Sequence, residues 1–293
     1  MIPSHPSERR GRGRTFLVLA LLCLGVGPAS GDASRPTVMS TDFCSDLLLL
    51  NIAAPEQILS VSRRSRDPRV SPVADLARPY PSNRGGVEDV LHFKPDIALV
   101  YQGWTGRRHA ERLAGRGTQI IALPYPKRWS DGLRTTREIA ARIGRGEAVE
   151  AKVAVAERRL RALAQRSRPY RLLYLRPNGG TAGEGTYIDD LFRLLGLRNL
   201  AAEHGQSGWG RFPLETLVSA PPDVFLLGYF DQTQSPARSA YGRHPRLRAM
   251  LERTPVIGLP GNAWGCGGLE LIDAAERIAE QLDALSPDLA PSP

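Results

Sequence analysis

The chain has 293 residues, of which 42% are hydrophobic and 24% charged, a composition typical of a globular protein that excludes a disordered or fibrous chain. Its lysines and arginines outnumber its acidic residues by 39 to 30, but this excess is spread along the sequence without a basic stripe or interleaved aromatic residues. We therefore expect no nucleic-acid partner.

A leader precedes the fold. Arginines at positions 9 to 14 come before an apolar run from Phe16 to Val26, and small residues follow up to Gly31. This order predicts a secretory signal peptide over residues 1–31, cleaved near Gly31, and hence an exported protein. We prefer cleavage to a lipid anchor at Cys23, because Leu22 stands before that cysteine where a lipoprotein has a small residue.

The first lobe is predicted over residues 32–129. Strands are expected at Thr37–Ser40, Ile58–Ser62 and Gln119–Leu123, with a helix at Phe43–Ile52. Between them, residues 87–100 read VEDVLHFKPDIALV. This phrase has apolar residues at helical spacing, then a proline that stops the helix, then an unbroken apolar run typical of a buried parallel strand.

Residues 130–168 have apolar positions at helical spacing among many charges, interrupted only by Gly144 and Gly146. We predict one long helix, kinked at the glycines, that carries the chain from the first lobe to the second. A helical hairpin is the alternative, but the segment lacks a convincing loop.

The second lobe is predicted over residues 169–285, and the tail at 286–293 is expected to be disordered. A glycine-rich loop at residues 176–186 is a weak phosphate-site signal, since neither G-x-G-x-x-G nor G-K-S/T is present. Residues 214–227 read LETLVSAPPDVFLL and repeat the phrase of the first lobe without a gap. The repeat predicts an α/β fold of two Rossmann-like lobes with central parallel sheets, joined by one long α-helix, with a ligand cleft between the lobes.

Candidate ligand-binding residues follow predicted strand ends, where open α/β sheets bind ligands. They are Tyr101, Trp104, Trp209, Arg211 and Trp264. Aromatic walls suit a large flat ligand, because each ring buries much area and has few rotatable bonds. The alternatives are core packing for the tryptophans and an ordinary surface position for Arg211.

An exported chain of two lobes joined by a long helix, with one E-x6-P-D phrase per lobe, resembles the helical-backbone class (class III) of periplasmic substrate-binding proteins. That class delivers vitamin B12 and ferric siderophores to ABC importers. The resemblance covers Thr37 to Leu285. It implies a periplasmic protein that captures a metal chelate, a corrinoid first and a ferric siderophore second, and delivers it to a membrane permease and its ATPase.

The same resemblance assigns docking residues. In this class a glutamate near the tip of each lobe meets arginines of the permease, and the matching positions are Glu88 and Glu215. The alternative is an ordinary acidic residue at a helix start. We expect a monomer without a cofactor or a resident metal.

Two cysteines remain after the leader. Cys44 and Cys266 each come after a strand end and before a helix, in opposite lobes. Three readings stay open: a disulfide between the lobes, two free thiols that contact the ligand, and two unrelated cysteines.

An enzyme is the competing class of function. The histidines show no H-x-x-x-H or H-x-H spacing, and no G-x-S-x-G motif is present. The alternative function is a secreted, two-lobed Rossmann-like enzyme that acts on a nucleotide or a sugar-type substrate. We assign no catalytic residue.

Overall fold

The computed structural model describes residues 35–164, 166, 168–230, 240–259 and 266–285. The predicted signal peptide, with cleavage near Gly31, and the predicted disordered tail lie outside the described residues. Across the described ranges, no helix combines the length and the apolar character needed to cross a bilayer.

Strands and helices alternate along the chain, with short 3₁₀ turns between some of them. The strands are β1 (Val38–Ser40), β2 (Ile58–Ser62), β3 (Ser82–Asn83), β4 (Ile97–Tyr101), β5 (Gln119–Leu123), β6 (Arg171–Leu175), β7 (Gly180–Ala182), β8 (Arg198–Asn199), β9 (Trp209–Arg211), β10 (Val224–Gly228) and β11 (Val256–Leu259). The helices are α1 (Phe43–Ile52), α2 (Ala74–Ala77), α3 (Val87–Phe93), α4 (Ala110–Ala114), α5 (Trp129–Arg142), α6 (Gly146–Leu163), α7 (Tyr187–Leu194), α8 (Leu200–Glu203), α9 (Leu214–Ser219), α10 (Pro245–Leu251) and α11 (Ile272–Asp283).

Each lobe has its own parallel sheet. The strand order is β3-β2-β1-β4-β5 in the first lobe and β11-β10-β6-β8 in the second. All neighbouring strands within these two sheets are parallel. The order β2-β1-β4-β5 therefore corresponds to β8-β6-β10-β11, so the lobes share one topology. The prediction of two Rossmann-like α/β lobes with central parallel sheets is confirmed.

The repeated phrase has a structural reason in its aspartate. Each copy forms a helix followed by a central strand, α3–β4 in one lobe and α9–β10 in the other. The Asp96 carboxylate accepts the N–H of Thr37 at 2.7 Å, just before β1. The Asp223 carboxylate accepts the N–H of Arg171 at 2.6 Å, at the start of β6. In both lobes the aspartate thus satisfies a backbone donor where the first strand enters the sheet.

The segment between the lobes, predicted as one long helix kinked at its glycines, consists of two helices. Helix α5 ends at Arg142 and α6 begins at Gly146. Between them Gly144 has a φ of +70°. The N–H of Arg145 donates to the carbonyl of Ala140 at 2.7 Å. This is the geometry with which a left-handed glycine ends a helix.

The two helices pack antiparallel. Arg137 of α5 pairs with Glu150 at 2.8 Å and with Glu157 at 2.9 Å, although these residues follow it by 13 and 20 positions. Along one straight helix, those separations would be about 20 and 30 Å, far beyond the reach of an arginine side chain. The prediction of one long helix over residues 130–168 is therefore wrong, and a helical hairpin joins the lobes. The loop is not recognisable in the sequence because it is very short: one glycine with a positive φ is enough to reverse the chain.

The hairpin lies within an apolar core that both lobes share. One continuous cluster of buried side chains includes Val38 of β1, Leu133 of α5, Val153 of α6, Leu172 of β6 and Ile278 of α11. Burial of this much apolar surface favours a single packed arrangement of the lobes. The joint between the lobes is therefore part of the core rather than an exposed linker.

A buried carboxyl group ties α1 to the first two strands. Asp46 of α1 is fully buried. It accepts hydrogen bonds from the hydroxyls of Ser40 and Ser62 and, at 2.8 Å, from the N–H of Ser62. Burial is the largest influence and raises the pKa of Asp46 to about 7, although the three hydrogen bonds favour the ionised form.

The raised pKa of Asp46 predicts a stability that falls as pH rises. The protonated carboxyl stabilises the fold fully below its unfolded pKa of 3.8, and this contribution is lost as pH rises through about 7. The side chain of Asp46→Asn stays neutral. We therefore expect its free energy of unfolding to rise by about 4 kcal/mol relative to that of the parent protein as the pH is raised from about 4 to about 8. Urea unfolding of both proteins at several pH values measures this, and a pH-independent difference would contradict it.

The hairpin predicts different costs for its two glycines. Gly144→Ala places a Cβ in the left-handed region and should lower the free energy of unfolding by about 1 kcal/mol. Gly146→Ala is the matched control, because Gly146 begins α6 without a positive φ and should change stability little. Urea unfolding compares the two variants. Equal effects would show that the turn at Gly144 is not the one described.

Candidate functional site

A cavity of about 610 Å³ opens where the carboxyl ends of the first-lobe strands meet α5 and residues 266–270. This is a size typical of small-molecule sites. The first lobe contributes Phe43, Cys44, Arg64 and Tyr101 to its wall. Because parallel strands end at this edge, the topology places several loops around one opening.

The first-lobe wall is positively charged. Arg63, Arg64 and Arg84 line the cavity, and none of them has an ion-pair partner in the part of the chain that the structure describes. The Arg64 guanidinium lies 5.6 Å from the ring centroid of Phe43. A guanidinium above an aromatic face is held in place while its N–H groups stay available to a ligand.

The two acidic residues of the wall are engaged with the backbone. Asp42 caps α1 by accepting the N–H groups of Cys44 and Ser45, each at 3.1 Å. Glu270 accepts the N–H groups of Cys266 at 2.7 Å and of Gly268 at 3.1 Å. These carboxylates bind backbone N–H groups rather than arginines, and the three arginines outnumber them, so the cavity wall carries an excess of positive charge.

An aromatic cluster in the second lobe surrounds Arg176. The Arg176 guanidinium lies 5.0 Å from the ring centroid of Trp209, 5.1 Å from that of Tyr229 and 5.6 Å from that of Tyr174. Its Nε donates to the hydroxyl of Tyr174 at 2.8 Å. No carboxylate pairs with Arg176 among the described residues. We call Arg176, Tyr174, Trp209 and Tyr229 the arginine cage.

The cavity and the arginine cage meet at Tyr125. Tyr125 lines the cavity and is 51% exposed. Its ring centroid lies 6.4 Å from that of Trp209 and 6.0 Å from that of Tyr187. A ligand in the cavity that contacts Tyr125 therefore lies next to the cage.

Burial is the main influence on the phenols of the arginine cage. Burial raises the pKa of Tyr229, and the charges of Arg176 and then Arg64 act in the opposite direction. Burial also raises the pKa of Tyr174. The phenols therefore stay neutral at neutral pH and do not compensate the arginines.

Three of the residues proposed from the sequence line the cavity, namely Cys44, Tyr101 and Cys266. Trp209 belongs to the arginine cage and is 37% exposed. Arg211 is exposed on β9 and does not line the cavity, so the surface alternative describes it. Trp264 lies outside the described residues.

The prediction for Trp104 is wrong. It was proposed as a ligand contact, but only 4% of it is exposed. Its N–H donates to the carbonyl of Tyr101 at 3.0 Å, and its indole Nε1 donates to the carbonyl of Gly85 at 2.7 Å. This turn after β4 inserts the ring into a small core with Met39 and Leu113. The alternative reading, core packing, is therefore the observed one.

Arg176 and Tyr229 were missed in the sequence. Both directly follow a second-lobe strand, β6 and β10. The strand-end rule that selected Tyr101 would also have selected them. The glycine-rich loop gives a weak phosphate-site signal in the sequence, but part of its backbone forms β7, which pairs antiparallel with β9. Those backbone groups are used in the sheet rather than in a phosphate cradle.

A disulfide joins Cys44 to Cys266, whose Cα atoms are 5.5 Å apart. Of the three readings left open by the sequence, this is the one that the structure contains. It connects the first turn of α1 to the segment before α11. The disulfide therefore crosses from one lobe to the other within the wall of the cavity.

Glu88 and Glu215 occupy equivalent exposed positions in the first turns of α3 and α9. Neither lines the cavity. Neither forms an ion pair with any residue that the structure describes. Among these residues, no group of three His, Cys, Asp or Glu side chains is placed to hold a metal ion.

Known structures share this architecture. A periplasmic binding protein from Veillonella parvula superposes with a TM-score of 0.70 at 16% identity, covering 87% of this chain and 93% of that one. The periplasmic heme-binding protein HutB of Vibrio cholerae gives 0.69 at 19% identity, covering 85% and 99%. The vitamin B12-binding protein BtuF of Vibrio cholerae gives 0.64 at 16% identity, covering 85% and 97%. At these identities the similarity shows the fold alone.

The sequence itself supplies the family. No curated protein matches the chain. The model of a family described as periplasmic binding protein matches residues 38–240, which is more than half of the chain. The resemblance drawn from the repeated phrase is thereby confirmed, and this chain belongs to the periplasmic binding protein family.

Proposed function

We propose that the protein is the solute-binding component of an ABC importer and captures an anionic metal chelate in the cavity. Family membership and the absence of an assignable catalytic pair in the sequence support binding rather than catalysis. Structural neighbours are named for binding heme and vitamin B12, which supports a chelate as the cargo. The observation that carries the proposal is the position of Arg64, held over Phe43 in the cavity wall, and of Arg176, held in the aromatic cage that meets the cavity at Tyr125.

The charge of the site revises the order of ligands. A corrinoid was the first choice from the sequence and a ferric siderophore the second. Four arginines without carboxylate partners among the described residues favour a ligand with carboxylate or catecholate oxygens, since guanidinium groups bind such oxygens in pairs. We therefore place an anionic chelate, either the flat heme or a ferric siderophore, ahead of a corrinoid.

Capture requires no bond making. The rings of Tyr101, Tyr125 and Trp209 bury the apolar face of the chelate, and Arg64 and Arg176 neutralise its acidic edge. Docking through Glu88 and Glu215 then presents the loaded cleft to a permease with basic residues at two matching positions.

Ligand titration tests the cargo. We expect heme or a ferric siderophore to quench the intrinsic tryptophan fluorescence of the purified protein, with the change reduced in Trp209→Phe. Cyanocobalamin and cobinamide are titrated in parallel, and a response to these two alone would make a corrinoid the first choice of ligand again. No response to any chelate, or turnover of one, would reject the proposal.

Arginine substitutions test the charge of the site. Arg64→Ala and Arg176→Ala should each weaken binding of the anionic chelate about ten-fold or more, because a hydrogen bond to a charged group contributes about 1.5–3 kcal/mol. Arg116→Ala, at an exposed position outside the cavity, is the matched control and should bind normally. Dissociation constants from the same titration measure this. Unchanged affinity in both Arg64→Ala and Arg176→Ala would show that charge does not select the ligand.

Charge reversal tests the docking residues. Glu88→Lys and Glu215→Lys should each reduce permease binding about ten-fold or more, and together abolish uptake, because each faces a cationic partner group. Chelate binding should be unchanged. Glu111→Lys, also in the first turn of a helix, is the control. Binding to the permease in nanodiscs is the measurement, and normal docking of the double variant would refute the assignment.

A further inference from the structure

The disulfide lies where it can control the cleft. Cys44 belongs to the first lobe and Cys266 to the second, and both line the cavity. They are 222 residues apart in the sequence. A covalent bond at this place joins the two walls between which a ligand would lie.

The segment that carries Cys266 is itself tightly held. We call residues 266–270 the strap. Gly267 of the strap has a φ of +82°, and its carbonyl packs so closely on α5 that a Cβ at Gly132 would overlap it. The Glu270 carboxylate accepts two strap N–H groups. The strap is thus fixed to α5 by packing, to α1 by the disulfide, and within itself by Glu270.

The lobes are therefore attached at two separate places. One is the apolar core that contains the α5–α6 hairpin. The other is the disulfide in the cavity wall. A hinge at the hairpin alone would allow the cleft to open, whereas a second covalent attachment at the cleft itself prevents this rotation.

We infer that the Cys44–Cys266 disulfide sets the width of the cleft and thereby the size of chelate that binds. The inference rests on the proposed function for the ligand class, but not for the rigidity. A cleft held at its binding width loses little conformational freedom when the ligand enters, which favours affinity. It also excludes ligands that need a wider opening. Cys44 and Cys266 are in this sense positioning residues for size selection.

The test compares the oxidised protein with Cys44→Ser/Cys266→Ser. In small-angle X-ray scattering, we expect the oxidised protein to keep the same radius of gyration with and without heme. The double variant should be more expanded without ligand and should contract on binding. Its affinity for heme should fall about ten-fold, and its preference for heme over cyanocobalamin should decrease.

A destabilised control separates rigidity from stability. Leu113→Ala removes buried apolar contacts in the small first-lobe core and leaves the strap intact. It should lower stability without changing the radius of gyration or the ligand preference. If Leu113→Ala reproduces the loss of size selection, the effect belongs to stability and the inference is overturned.

Two further outcomes decide the matter independently of the double variant. Contraction of the oxidised parent protein on ligand binding would overturn the inference, even if the double variant fails to fold. If no chelate binds any form, the proposed function fails. The rigidity is then judged from the ligand-free proteins: parent protein reduced with dithiothreitol should expand, and an unchanged radius would overturn the inference.

Discussion

The α5–α6 hairpin is the constraint on which the rest of the structure depends. Its apolar faces lie in one core with strands of both sheets, so each lobe completes its core with residues of the hairpin. Burial of that surface resists separation of the lobes because water would have to reach apolar side chains. The shape of the cavity depends on this packing, since the cavity wall combines first-lobe loops, α5 and the strap.

Within that frame, the site combines flat apolar surfaces with uncompensated positive charge. Aromatic rings hold Arg64 and Arg176 by their faces rather than by carboxylates. Such an arrangement keeps the guanidinium groups oriented and leaves their hydrogen-bonding edges for a partner. The carboxylates nearby serve the backbone instead. The arginines of the site therefore lack carboxylate partners because the nearby acidic residues accept hydrogen bonds from backbone N–H groups.

The aspartate and the glutamate of the repeated phrase have different roles, and these are the same in both lobes. Its aspartates, Asp96 and Asp223, satisfy backbone groups at the start of β1 and β6 and explain the phrase structurally. Its glutamates, Glu88 and Glu215, take no part in this and are exposed, and docking is the role that we propose for them. The same sequence signal therefore combines a requirement of the fold with a proposed docking function, which the sequence alone does not separate.

Local sequence patterns determined the strands, because an apolar run between glycine, proline and polar residues is a signal that a short window contains. The strands Ile58–Ser62 and Gln119–Leu123 have the predicted bounds. Only the tertiary structure decided the hairpin, the burial of Trp104, the arginine cage and the pairing of Cys44 with Cys266. Each of these depends on contacts between residues far apart in the chain: the cage is assembled from the ends of β6, β9 and β10, and the cysteines are separated by 222 positions. Their proximity is a consequence of how the sheets and the hairpin pack, and no local pattern encodes it.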